Sequence, residues 1–363
     1  MRRILSALIV LSLMVFACGS SSGEKLVYQL VHKRNAYKND NGVSKTEFFS
    51  IDVKSQEKEL VFTDEGSPIA VQRIIWGWNL PVMGGNKIFA TAAERNADGR
   101  PNESTAALYE LSTDGSNSFR KVAPKTKRDK FDDIFVNAEG TRVGHRNNQG
   151  RSQYLLVHDL KSGELLQEIC IDSIFYDCFP AGIGWMPGED RVFFSLETGD
   201  VHVTSDESYG KVGTYIMDIY DESVVRLDTI PGREGYSYPE LVRMIGVLPS
   251  GENLFSFMQR PINRSLDGVA RLIYIVEGLG TDSMAFRDVS FGSEPGLPAS
   301  PAVSYLISPS GQYLAASNPL KSGADTLKNV WLKNLHSGED ILFYSQPSKG
   351  YDGPFLRLVG WLR

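Results

Sequence analysis

Apolar and polar positions follow one recurring order along most of this chain: an apolar run, a short polar turn, and a second apolar run. The clearest copies are Val247–Phe257 and Ile307–Ser317, where Pro, Ser and Gly form the turn. Looser copies begin at Val136 and Trp185. Such runs predict β-strands joined by tight turns, and recurrence about every 50 to 60 residues indicates a repeat architecture.

A second hairpin phrase lies between copies of the first. His158–Leu166 matches Asn334–Leu342, and poorer copies are found at Ile51–Leu60 and Met217–Leu227. Gly and Ser in these turns supply the backbone freedom that a short connection needs. One unit therefore contains four antiparallel strands, named a to d from the inside outward, as in a propeller blade.

The number of blades follows from the inner strands. Strand a is predicted at Val71–Trp78, Asp133–Val136, Gly182–Trp185, Leu241–Val247, Val303–Ile307 and Phe355–Trp361. The last copy lacks strands b, c and d, whereas Leu26–His32, Phe48–Val53 and Glu59–Phe62 are predicted as b, c and d without an a. We therefore predict an all-β, six-bladed β-propeller closed by pairing of the N-terminal and C-terminal strands, which leaves the ring without an open edge. Five or seven blades are the alternatives, because the copies near residues 74 and 133 are weak.

The phrase at 307–311, Ile-Ser-Pro-Ser-Gly, resembles the WD40-like (PD40) repeats of TolB-type β-propellers, whose blades open with a phrase such as Trp-Ser-Pro-Asp-Gly. Ser310 stands where the aspartate is usual. The dipeptide Gly-Trp also recurs at 77–78, 184–185 and 360–361, near the end of strand a. The resemblance covers nearly all of the chain beyond its N-terminal segment. It implies the fold but no activity, because propellers host many unrelated functions.

The N-terminal segment has the layout of a bacterial lipoprotein signal. A basic start is followed by the apolar stretch Ile4–Phe16 and by Ala17-Cys18, and Val15–Cys18 looks like a lipobox. We expect residues 1–17 to be the signal peptide, 18–24 to comprise the lipidated Cys18 and a flexible tether, and 25–363 to be one propeller domain. An ordinary signal peptide with a chance cysteine is the alternative.

This segment predicts the location. The protein is expected in the bacterial cell envelope as a membrane-anchored lipoprotein, on the periplasmic or surface side of the outer membrane in a Gram-negative cell. A Gly-x-Ser-x-Gly pattern at 19–23 lies in the tether with no strand-to-helix turn, so we assign no catalytic residue to it.

Composition narrows the partners. The net charge of −6 becomes −8 without residues 1–17, because that segment contains Arg2, Arg3 and no acid. An acidic chain without a basic stripe argues against a nucleic-acid partner. The five histidines are scattered, and no phosphate-binding loop is present, so neither a metal nor a cofactor is expected. Cys170 and Cys178 form a possible disulfide of an exported protein, and two buried thiols are the alternative.

Connection lengths point to one functional face. In a four-stranded blade, the a–b and c–d turns emerge on one face and the b–c and d–a connections on the other. The predicted b–c loops are long and dissimilar: Lys33–Lys45, Ala93–Thr105, Glu197–Lys211 and Asn318–Leu327. The d–a connections Pro124–Asp132 and Thr229–Glu240 are also long. Binding residues concentrate on loops held by a rigid scaffold, so this face is the predicted functional face.

Several d–a connections end in an aromatic residue followed closely by an acid, just before an inner strand. These phrases contain Phe131, Asp132, Asp133, Tyr176, Asp177, Tyr238, Glu240, Tyr351 and Asp352. We expect them to surround the mouth of the central channel as a candidate ligand site. The alternative is that the aromatics pack between blades and the acids cap loop N–H groups.

Two classes of function remain. The first is a lipid-anchored binding or scaffold module that presents its long loops to a protein or an extended ligand. The second is a propeller hydrolase or lyase that uses carboxylates at the mouth as acid and base. We favour binding, because the mouth phrases contain no histidine and no metal-ligand pattern.

Overall fold

The computed structural model describes residues 23–32, 45–71, 81–124, 132–137, 139–149, 152–171, 178–186, 190–198, 213–227, 230–232, 234–235, 239–259, 270–279, 283–291, 304–317, 327–347 and 355–362. The strands within these ranges form six separate antiparallel sheets, which are the blades of a propeller.

The blades are given from the inner strand to the outer strand. Blade 1 is β25 (Phe355–Leu362), β1 (Lys25–His32), β2 (Lys45–Asp52) and β3 (Lys58–Thr63). Blade 2 is β4 (Ile69–Val71) with β5 (Val82–Gly84), then β6 (Lys87–Glu94), β7 (Ala107–Leu111) and β8 (Phe119–Pro124). Blade 3 is β9 (Asp132–Val136), β10 (Arg142–Gln149), β11 (Ser152–Asp159) and β12 (Leu165–Cys170).

The second half of the ring follows the same plan. Blade 4 is β13 (Cys178–Trp185), β14 (Arg191–Thr198), β15 (Gly213–Asp218) and β16 (Val224–Leu227). Blade 5 is β17 (Glu240–Val247), β18 (Asn253–Gln259), β19 (Ala270–Glu277) and β20 (Ala285–Asp288). Blade 6 is β21 (Ser304–Ile307), β22 (Tyr313–Ser317), β23 (Leu327–Asn334) and β24 (Asp340–Pro347).

The ring closes as the sequence predicts. The inner strands contact one another in the order β25, β5, β9, β13, β17, β21 and again β25. The C-terminal β25 pairs with β1, with Leu26 opposite Trp361 and Val31 opposite Phe355. The six-bladed count and the shared first blade are therefore confirmed, and five or seven blades are excluded.

The inner strand of blade 2 differs from its prediction at Val71–Trp78. Both β4 and β5 pair with β6, so two short segments together take the place of one inner strand. Residues 72–80 lie outside the described part of the chain. The sequence pattern placed the whole inner strand at Val71–Trp78 and did not predict β5.

The hydrophobic core is divided among the seams between blades. The described residues form a separate buried cluster at each of the six seams. At the seam of blades 6 and 1, for example, Leu26, Leu358 and Trp361 pack with Val330 and Leu332. Each blade thus buries one sheet face against each neighbour, and its stability depends on both.

The repeated phrases form the turns of one face. In four c–d turns the side-chain oxygen of an Asp or Asn accepts the backbone N–H groups two and three residues later: Asp52, Asp159, Asp218 and Asn334. In the a–b turns, the N–H of Gly311 donates to the carbonyl of Ser308, with φ of +72° at the glycine. We call the face formed by a–b and c–d turns the short-turn face, and the opposite one the long-loop face.

Candidate functional site on the long-loop face

Strand bounds define the connections on the long-loop face. The b–c connections are residues 33–44, 95–106, 150–151, 199–212, 260–269 and 318–326. Blade 3 departs from the expectation of long loops, since two residues join β10 to β11. Blade 5 adds a long connection, 260–269, that the sequence pattern did not single out.

The sequence-predicted ligand mouth falls largely outside the described residues. Phe131, Tyr176, Asp177, Tyr238, Tyr351 and Asp352 are not described. For Asp132, Asp133 and Glu240 the backbone is described and the side chains are not. Asp132 and Asp133 are the first two residues of β9, and Glu240 is the first of β17, so their backbones open inner strands at the long-loop face. Convergence of the mouth residues on one opening stays a prediction.

The described residues do not test the cysteine predictions either. Cys18 lies outside the described residues. Cys170 ends the outer strand β12, and Cys178 begins the inner strand β13 of the next blade. The side chain of Cys178 is not described, so the disulfide also stays a prediction. No helix in the described part of the chain has the length and apolar character needed to cross a bilayer.

The long-loop face is described in detail where blades 1 and 2 meet. The b–c connection of blade 2, residues 95–106, folds back on itself. The N–H of Asn96 donates to the carbonyl of Arg100, and the N–H of Asn102 donates to the carbonyl of Glu94. A short 3-10 helix, Glu103–Thr105, follows. This loop is held by its own backbone hydrogen bonds and presents a defined shape.

Arg95 fastens this loop to the d–a connection between the two blades. Its Nε donates to the carbonyls of Ser67 and Ile69 at 3.1 and 3.2 Å. One terminal nitrogen donates to the carbonyl of Gly99 at 2.9 Å, and the other to the carbonyl of Asp64 at 3.0 Å. The planar guanidinium can reach these four carbonyls at once because its donors form a fixed fork. Two successive connections of the face are thereby joined.

The carboxylate of Asp64 also takes part in this junction. Its carboxylate accepts the N–H of Thr46 at 2.8 Å and the N–H of Val71 at 3.0 Å, and it lies 3.6 Å from the guanidinium of Arg95. The side chain is 1% exposed. A carboxylate so deeply buried requires such partners, so loss of either side chain would leave a charge beneath the loops poorly compensated. We name Asp64 and Arg95 the junction pair.

A second group of charges lies beside the junction pair on blade 1. The Nζ of Lys45 contacts Glu47 at 2.9 Å and Glu65 at 2.6 Å, and the hydrogen bonds that this ammonium donates to the two carboxylates raise the pKa of Lys45 to about 12. Burial alone would raise the pKa of Glu47, but hydrogen bonds from Lys45 and His32 outweigh it and lower that pKa. Both groups are therefore charged at neutral pH.

The described part of the long-loop face around the junction pair carries charged and hydrogen-bonding side chains, which suit a polar ligand. The carboxylate of Asp64 accepts two backbone N–H groups, and that of Glu47 is paired with Lys45, whose hydrogen bond helps to lower its pKa. Asp98 and Arg100 stand exposed on the loop of blade 2, 3.4 Å from each other. Within the described ranges, no three His, Cys, Asp or Glu side chains come close enough to hold a metal ion.

Sequence reasoning missed the junction pair. Asp64 follows one strand in a polar turn, and Arg95 directly follows another, so each looks like an ordinary surface charge. Their partnership joins positions 31 residues apart in two blades. A single sequence contains no local signal for such a contact, and only the blade packing reveals it.

No protein-family profile matches this chain, and no curated protein matches it by sequence. Solved structures similar in shape include a protein assigned as TolB from Agrobacterium tumefaciens, with 12% identity, 92% of this chain and 98% of the other covered, and a TM-score of 0.49. An oligogalacturonate lyase in complex with manganese has 12% identity, coverages of 88% and 79%, and a TM-score of 0.48. A periplasmic gluconolactonase from Pseudomonas aeruginosa has 11% identity, coverages of 92% and 85%, and a TM-score of 0.46. Since these proteins include both enzymes and a protein not described as one, they select no activity for this chain.

Proposed function

We propose that this protein is a lipid-anchored propeller of the bacterial envelope that binds a protein or an extended ligand through its long-loop face. The lipid is carried by Cys18, and the partner is not a nucleic acid. The mouth phrases at Phe131–Asp133, Tyr176–Asp177, Tyr238–Glu240 and Tyr351–Asp352 supply aromatic and acidic contacts to it.

The difference between the two faces is the observation that supports the proposal. The described turns of the short-turn face repeat one hydrogen-bonding scheme, with an Asp or Asn side chain capping its own turn in four blades. The connections of the opposite face differ in length and sequence from blade to blade. Loops that vary on a constant scaffold are the usual site of recognition.

The rigidity of the described loop favours binding over chemistry that depends on a moving lid. The junction pair and the internal hydrogen bonds of residues 95–106 fix this loop before any partner arrives. A surface organised in advance loses less conformational freedom on association, so more of the contact energy appears as affinity.

Partner retention on variants of the two faces tests the role of the long-loop face. The double variant Asp98→Ala with Arg100→Ala removes exposed charges from the described loop, and Lys161→Ala with Glu164→Ala is the matched control in a c–d turn. We expect partners captured from detergent-solubilised envelope to be lost from the first variant and kept by the second. Equal retention by both would contradict recognition through the described part of the long-loop face.

A triple variant tests the mouth. If Tyr176, Tyr238 and Tyr351 form a ligand site, changing all three to Ala should leave the melting temperature nearly unchanged, because exposed rings contribute little packing, and should weaken partner binding severely. If these rings instead pack between blades, the protein will unfold at a much lower temperature and binding will fall only as the fold does. Melting and binding are measured on the same preparation.

The anchor is tested separately. Cys18→Ser should move the protein from the membrane fraction to the soluble fraction, because two or more acyl chains are what holds it at the membrane. Continued partitioning of Cys18→Ser into detergent with the envelope would show that something other than lipid retains it.

A further inference from the structure

The described chain starts on the short-turn face. Strand b of each blade begins at the a–b turn, so Lys25, the first residue of β1, lies on that face. The carboxylate of Glu24 accepts the N–H of Ser310 at 2.6 Å and its hydroxyl at 3.0 Å. The carbonyl of Glu24 accepts the N–H of Val53 at 3.0 Å. Glu24 is thus held between the a–b turn of blade 6 and the c–d turn of blade 1.

The tether is short compared with the propeller. Six residue steps separate Cys18 from Glu24, and a fully extended chain covers about 3.5 Å per step, or about 21 Å. The seven residue steps of β1 span about 23 Å between the faces, and two outer strands add about 10 Å to a route around the rim. A tether leaving Glu24 therefore cannot pass around the rim to the long-loop face.

We propose that the short-turn face is the membrane-proximal side of this protein and that the long-loop face points away from the bilayer. This inference rests on the proposed lipid anchor at Cys18. The partner that the long-loop face takes is then a water-soluble molecule, or a domain that stands clear of this membrane. A lipid headgroup or a bilayer-embedded segment of the same leaflet cannot reach it.

The distribution of apolar surface agrees with this orientation. Among the described residues, exposed large apolar side chains lie in the first half of outer strands or in a c–d turn, and so nearer the short-turn face than the long-loop face. They include Leu60, Leu165, Tyr220, Val225, Ile341 and Leu342. These positions are the ones that the proposed orientation brings closest to lipid.

The charge of the short-turn face determines how it lies there. Its turns expose carboxylates such as Asp114, Glu164 and Asp221, and anionic lipids repel negative charge. The face therefore lies beside the bilayer because the tether holds it there, and we expect no deep insertion. Orientation should depend on the length of the tether.

A fluorescence experiment on the lipidated protein in vesicles tests the orientation. A clickable non-natural amino acid carrying a dye is placed at Lys161, in a c–d turn, or at Ala97, on the loop of blade 2; both positions are exposed. The vesicles contain phosphatidylethanolamine, phosphatidylglycerol and a lipid with a nitroxide headgroup that quenches nearby dyes. We expect quenching several-fold stronger at Lys161 than at Ala97. Equal quenching, or stronger quenching at Ala97, would overturn the inference.

Two further measurements separate the possible failures. Flotation of the unlabelled protein with the vesicles reports the anchor itself, and its absence would overturn the proposed anchor and the orientation together. Flotation with reversed quenching would overturn the orientation alone. A variant with about thirty Gly and Ser residues inserted after Ser22 should float normally and lose the difference between the dyes, since a flexible linker of that length spans the rim. A difference that survives the insertion would contradict the tether as its cause.

Discussion

Replacing Asp64 by Ala should be among the most damaging single changes on the long-loop face. The variant leaves the N–H groups of Thr46 and Val71 without their acceptor and deprives the buried guanidinium of Arg95 of its counter-ion. Removing one partner of a buried ion pair costs about 3–5 kcal/mol, because the other charge stays buried without compensation. We expect a loss of unfolding free energy in that range.

Arg95→Ala should cost less than Asp64→Ala. In this variant Asp64 keeps its two backbone N–H donors, from Thr46 and Val71. The side chain of Arg95 is more exposed than that of Asp64, 11% against 1%, so water can replace part of the lost hydrogen bonds, each of which contributes about 1.5–3 kcal/mol before that replacement. We therefore expect a loss of about 2–3 kcal/mol. The unfolding free energy of Arg95→Lys should lie between those of Arg95→Ala and the native protein, since one ammonium cannot reproduce the donor geometry of the guanidinium.

Equilibrium urea unfolding measures these losses, and hydrogen exchange locates them. The amides of Thr46 and Val71 should exchange faster in Asp64→Ala, and those of residues 95–106 faster in Arg95→Ala. Asp98→Ala, an exposed carboxylate on the same loop, is the control and should change stability by about 1 kcal/mol or less. A loss below about 1 kcal/mol for Asp64→Ala would refute the reasoning that this carboxylate stabilises the junction.

Three further predictions concern turns, pH and closure. Gly338→Ala should lower stability by about 1 kcal/mol, because φ at this position is +75° although no atom would contact the added Cβ. Gly163→Ala should lower it more, since its Cβ would also lie 2.7 Å from a carbonyl oxygen, and denaturant unfolding compares the two variants. Hydrogen bonds from backbone N–H groups of the c–d turn lower the pKa of Asp159 below 3.8. The ionised carboxylate therefore contributes to folding stability above about pH 4, and this contribution is lost as the pH falls through the lowered pKa. Asp159→Asn, which imitates the native Asn334, should remove this pH dependence without disrupting the turn, and a pH dependence equal to the native one would contradict the assignment. Trp361→Ala should cost about 3–5 kcal/mol and deletion of 355–363 should abolish cooperative melting, because the ring seam is lost.

The architecture could be predicted because the same strand-and-turn pattern occurs in several blades. A turn phrase that is weak at one position is supported by its copies, as Gln56 and Glu222 occupy with φ of +59° the turn position that Gly163 and Gly338 fill elsewhere. The closure could be predicted as well, since unmatched strands at the two ends complete one another. Local chemistry and counting were sufficient for these conclusions.

The junction pair could not be predicted, because its contacts depend on how neighbouring blades pack. The split of the inner strand into β4 and β5 escaped prediction for a related reason: apolar residues before Pro81 match a strand pattern, while pairing with β6 is settled by tertiary contacts. Loop lengths identified the face that varies, and they contain no information on which side chains of that face meet.

The strand pairing that closes the ring and the proposed lipid anchor both involve blade 1. A tether leaving the short-turn end of β1 pulls nearly along that strand, and β1 is paired along its length with β2 on one side and with β25 on the other. Because ladder hydrogen bonds lie across the strands, such a pull loads both ladders together instead of opening them one bond at a time. Without β25, one ladder would remain and the seam with blade 6 would be exposed. Pairing of the C-terminal strand with β1 therefore secures the blade that would carry the load of the membrane attachment.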